Sequence, residues 1–155
     1  MEQKTGLDKA AYIMLTISMI VTVLCIVALI GISIYGIGVG LGDSNGGGWL
    51  IFIVMAMGVV LVPTIISWIA QLILYFHGMR QYKKGNLKTA RVLGIINSAV
   101  AIFGSLYLCG FMLSGDNWSI GWILLCLIPA AGALYMLIVL ILLIISRNKS
   151  KLAQI

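Results

Sequence analysis

Few side chains of this 155-residue chain could do chemistry. Thr64, Ser67, Gln71 and Tyr75 recur at spacings of three, four and four, which puts them on one face of a helix. Asn97 lies six residues past Arg91, and Ser18 nine past Lys9, so both reach a depth similar to that of Gln71. Ser18, Ser67, Gln71, Tyr75 and Asn97 are therefore expected to form one intramembrane polar layer. Such a layer is either a clamp of interhelical hydrogen bonds or the lining of a path for a polar solute or ion. The clamp is the expected reading, with Gln71 and Asn97 turned inward and approaching each other or Ser18.

The remaining reactive groups assemble into nothing recognisable as a catalyst. The one histidine, His77, closes an apolar stretch and reads as an interfacial residue. A proton-driven transporter needs a protonatable group in its pathway, and the apolar stretches contain no acidic or basic residue. Intramembrane proteolysis would need a Ser/His pair, an Asp pair or a metal site. Cys25, Cys109 and Cys126 all fall in apolar stretches and read as thiols packed like small hydrophobes, although Cys109 and Cys126 could meet. Asp43 and Asp116 alone make a poor cation site without further oxygen donors. The expectation is a non-enzyme with no catalytic residues, no metal and no cofactor.

The elements that must position the polar layer follow from composition. The chain is 62% hydrophobic and 9% charged, with a mean hydropathy of +1.15, against about 25% charged residues for soluble domains. Four apolar segments, at about 10–35, 49–76, 92–113 and 120–145, each exceed the roughly 20 residues a spanning helix needs. They show neither the alternation nor the strand number of a membrane β-barrel. The first is too long for a signal peptide, and the residues before Cys25 do not suit a lipoprotein, so it is expected to be an uncleaved span. The predicted fold is an all-α, integral membrane four-helix bundle, a single domain over 1–155.

Charge orients it. All ten basic residues fall before the first span, in the loop 77–91 or after the fourth span, and none falls in the two other loops. Such a bias places the basic side in the cytoplasm, so both termini are expected there. The loop residues Arg80, Lys83, Lys84, Lys88 and Arg91 are expected to contact anionic lipid headgroups. Nucleic acid is not expected as a partner, because topology already accounts for these charges.

The two halves resemble each other. Gly42, Asp43, Gly48 and Trp49 repeat as Gly115, Asp116, Gly121 and Trp122, and Gly6, Lys9 and Ala11 as Gly85, Lys88 and Ala90. The pattern predicts two tandem helical hairpins, a parallel repeat about an axis along the membrane normal. The loop motif needs no ligand: glycine permits tight turns, aspartate caps, and tryptophan favours the interface. Pro63 and Pro129 lie inside the second and fourth spans, and Asn97, Ala101, Ser105 and Cys109 form a small-residue stripe suited to close helix approach.

The run from Lys83-Lys84-Gly85-Asn86-Leu87-Lys88-Thr89-Ala90-Arg91 into Val92-Leu93-Gly94-Ile95-Ile96 resembles small, uncharacterised four-span membrane proteins of Gram-positive bacteria. That resemblance implies a bacterial cytoplasmic membrane and transfers no functional residue. The expected function is that of an accessory or interaction subunit, or an immunity-type protein. It would associate with the lipid bilayer and with another membrane protein or its own copies. The alternative is a small oligomeric channel or facilitator with the polar layer along its path.

Overall fold

The computed structural model describes residues 5–42, 47–113 and 120–152, with the side chains at 29, 32–33, 35–61, 111–112, 120–125 and 151 outside the description. Four helices follow in order: α1 (Gly6–Gly42), α2 (Gly47–Lys83), α3 (Leu87–Leu113) and α4 (Ile120–Leu152). All four are long and apolar enough to cross a membrane, and no strand occurs among the described residues.

Each helix runs beyond its apolar stretch, for local reasons. At the start of α1, Thr5 and Asp8 cap reciprocally. The Asp8 amide donates to Thr5 Oγ1 (3.3 Å) and the Thr5 amide to Asp8 Oδ2 (3.0 Å), as in a capping box. At the end of α2 the Asn86 amide donates to the Gln81 carbonyl (3.0 Å) and the Gly85 amide to that of Tyr82 (3.2 Å). This Schellman pattern needs a left-handed residue, supplied by Gly85 at φ 80°. Asn86 then caps α3, accepting from the Thr89 amide at 3.4 Å. Three residues therefore reverse the chain between two long helices. Pro63 and Pro129 both lie within helices that continue past them.

Neighbouring helices are antiparallel. Along α2 and α3, Gly78 faces Leu93 and Ser67 faces Gly104; along α3 and α4, Gly94 faces Leu143 and Ser105 faces Gly132. A Cβ on Gly94 would come within 2.8 Å of Leu143 Cδ1, so this glycine sets how closely α3 and α4 approach. The outer part of the small-residue stripe faces α4, where Ser105 meets Gly132 and the Cys109 thiol approaches the Cys126 carbonyl at 3.7 Å. Helix α3 packs mainly between α2 and α4, and α1 joins the set mostly through α2 and α4.

The core is small and partly polar, built around Ala11, Tyr12, Leu15, Tyr75, Ala90, Ala101, Met136, Val139 and Leu143. Many bulky apolar side chains point outward, with Phe103, Ile128 and Ile34 among the most exposed. A water-soluble bundle would reverse that arrangement. In lipid, association comes from close packing and polar contacts rather than from burying leucine. The distribution suits a multi-pass membrane protein.

Candidate functional site

Two polar clusters lie at the basic end of the bundle, where Thr5, the 84–86 turn and Ser150 converge. The outer one centres on Asp8, the sole acidic residue among the described residues. Arg91 of α3 binds it in a bidentate fork, Nε donating to Oδ1 and an η nitrogen to Oδ2, both at 2.8 Å. Ser146 of α4 donates to Oδ1 at 2.6 Å, and Thr5 Oγ1 donates to Oδ2 at 2.8 Å. The other η nitrogen of Arg91 donates to Ser150 Oγ at 2.8 Å. Asp8 and Arg91 are 0% and 1% exposed. One carboxylate and one guanidinium thus fasten α1, α3 and α4 together.

The position of Arg91 corrects one expectation. It was expected beside lipid headgroups, but its side chain is buried and its charge is satisfied by Asp8. Arg80, Lys83, Lys84 and Lys88 are exposed and remain available to headgroups. Asp8 was missed altogether. Two signals could have found it: the Thr-x-x-Asp capping spacing, and its position just before one apolar stretch while Arg91 stands just before another. Helices leaving the same end in parallel bring such residues to one level.

Burial alone would raise the carboxyl pKa of Asp8. The hydrogen bonds from Arg91, Ser146 and Thr5 outweigh that and hold it below the usual carboxylate range. A folded-state pKa below the unfolded value of about 3.9 means the contribution is fully present above about pH 4 and is lost as pH falls further. Thermal melts of the purified protein should therefore be flat from pH 7 to about pH 5 and fall below pH 4. An Asp8→Asn variant should lose that acid-dependent component.

Aromatic hydroxyls extend the clasp inward. Tyr12 donates to the Ala90 carbonyl (2.7 Å), and its ring stacks on Tyr82 at 4.3 Å. Tyr135 of α4 donates to the Met14 carbonyl (2.9 Å). Thr16 Oγ1 donates to the Tyr12 carbonyl (2.8 Å), so its bond with Tyr75 Oη (2.9 Å) takes the proton from the tyrosine. None of these inter-helix bonds except that of Tyr75 involves a residue singled out from spacing.

The inner cluster is the polar layer. Ser18, Gln71, Tyr75 and Asn97 line one small cavity, together with Thr22, Leu15, Met19 and Leu72. Gln71, Tyr75 and Asn97 are buried and Ser18 is half-buried. Gln71 donates to Ser67 Oγ on its own helix at 3.3 Å, so the layer is gathered around a cavity rather than closed by a Gln71–Asn97 bond. Ser67 itself packs against Gly104 of α3.

The outer-loop motif lies largely outside the described residues. Asp43, Gly115 and Asp116 are not described. Gly42 ends α1, Gly48 and Trp49 lie in the first turn of α2, and Gly121 and Trp122 in that of α4. The three cysteines are free thiols, and among the described residues no group of His, Cys, Asp and Glu is placed to hold a metal ion. Comparison of the chain with family models, with curated proteins and with solved structures finds no match, so the functional reading rests on these two clusters.

Proposed function

We propose that this chain is a non-enzymatic accessory or interaction protein of a bacterial cytoplasmic membrane, of which an immunity-type protein is one specific form. In this reading it is built as two tandem hairpins, a parallel repeat, with the basic end and both chain termini on the cytoplasmic side. The one-sided placement of ten basic residues supports that orientation, and the repeated Gly-Asp and Gly-Trp pairs support the duplication. Arg80, Lys83, Lys84 and Lys88 meet anionic headgroups, while the exposed apolar faces meet lipid, another membrane protein or a second copy.

One observation carries the reading. Both oxygens of Asp8 are engaged in holding three helices together, and Tyr12, Tyr75 and Tyr135 spend their protons on further bonds between helices. These buried groups of the described residues serve the scaffold, and the outer surface is what is left to meet a partner. The competing reading, an oligomeric channel or facilitator, requires a continuous polar path. Among the described residues, four members of the polar layer line one small cavity within a single chain.

Purification in mild detergent from native membranes, followed by reconstitution of the pure chain in vesicles, separates the two. A stable complex with another membrane protein or with further copies, and vesicles no leakier to small polar solutes than empty ones, is the expected result. Solute flux through the pure protein, abolished by Gln71→Leu in chains that still insert, would favour the channel.

A further inference from the structure

The walls of the cavity at the polar layer carry the chemistry of a binding site. Asn97 is 4% exposed and lines the cavity, and its side-chain carbonyl Oδ1 is buried without a hydrogen-bond partner from the protein. Buried carbonyls are almost always satisfied, by protein or by ordered water. The walls come from three helices: Ser18 and Thr22 on α1, Gln71 and Tyr75 on α2, and Asn97 on α3.

The proton bookkeeping of these walls is uneven. Thr22 Oγ1 gives its proton to the Ser18 carbonyl at 2.9 Å, and Tyr75 gives its own to Thr16. Both oxygens therefore present lone pairs, as does Asn97 Oδ1. The occupant must be a hydrogen-bond donor. No carboxylate lines the space, so a cation would be desolvated there without a countercharge, which strongly disfavours it. The cavity volume is about 10 Å³, the room of a single water, and two to four polar partners are what a buried water requires.

We infer that the cavity is a hydration site for one water molecule, which donates to Asn97 Oδ1 and bridges α3 to α1 or α2. The clamp between these helices is thus closed through water rather than by direct contact between amides. The inference holds whether the protein is an interaction subunit or a channel, since a single bound water is neither a path nor a partner.

Solid-state NMR on the full chain in lipid bilayers, with asparagine side chains labelled with ¹⁵N, tests it. Polarisation should pass from water to the Asn97 amide and should resist a soluble paramagnetic quencher that erases transfer to exposed asparagines such as Asn86. Asn97→Leu removes that signal and so assigns it. Thr22→Val, which keeps Asn97 and removes one wall acceptor, should cut the transfer at least twofold if Asn97→Leu fails to fold. Absence of transfer in the native chain would overturn the site. So would an Asn97 signal that shifts on titration with ammonium or sodium chloride, which would identify a cation instead.

Discussion

Replacing Arg91 with leucine should cost the purified protein about 3–5 kcal/mol, the usual penalty for removing one partner of a buried ion pair. The loss leaves the Asp8 carboxylate, 0% exposed in the intact protein, with its charge uncompensated. Asp8→Leu should be comparably damaging, because Arg91 then stands buried and also unforked. The double variant Asp8→Leu/Arg91→Leu should recover most of the loss, falling short by about 1 kcal/mol for the lost reciprocal half of the capping box, in which Thr5 donates to Asp8. Reversible unfolding in mixed micelles, run as a double-mutant cycle, measures this. Additive single losses would mean that the pair does not act as a unit, and that the clasp is not what fastens α1 and α4 to α3.

The second large effect belongs to the charges that remain outside. Neutralising Arg80, Lys83, Lys84 and Lys88 together, as Gln, should weaken the preference for anionic over zwitterionic lipid by about 1 kcal/mol for each charge removed. Competition between spin-labelled lipids around the reconstituted protein reads that preference directly, and it should fall with added salt. Arg91 supplies the control. A buried, paired guanidinium contributes little to a headgroup, so a folded Asp8→Leu/Arg91→Leu variant should keep the native lipid preference. If that variant loses as much preference as the four exposed cations do, then the inner face of the loop also meets lipid.

The fold was readable because the four apolar stretches carry a long-range signal that local detail barely disturbs. Spacing put Ser18, Ser67, Gln71, Tyr75 and Asn97 in one layer, and all of these but Ser67 line one cavity, since depth along an antiparallel pair follows from residue counting. What it missed was Asp8 with Arg91. Counting charges by side, as topology demands, treats Arg91 as one more exposed cation and overlooks a partner 83 residues away in sequence. The same depth argument that joined Gln71 to Asn97 applies to Asp8 and Arg91, each just outside an apolar stretch on parallel helices. The helices extend past the apolar stretches at Thr5, Gly85 and Asn86 because the caps and the turn there act through hydrogen bonds that hydropathy does not register. Gln71 and Asn97 reach the same cavity as Ser18, and Gln71 makes its hydrogen bond elsewhere. Ser67, one turn away, offers Gln71 a nearer partner.

The side of the membrane that the clasped, basic end occupies decides which surface can meet headgroups. In a background with the native cysteines replaced by alanine, single cysteines at Ser44, Asn117 and Asn86 should be probed with an impermeant thiol reagent in intact cells. Labelling at Ser44 and Asn117, with Asn86 reacting only after the membrane is opened, is the predicted result. Labelling of Asn86 from outside would contradict the orientation and the headgroup contacts proposed for the loop.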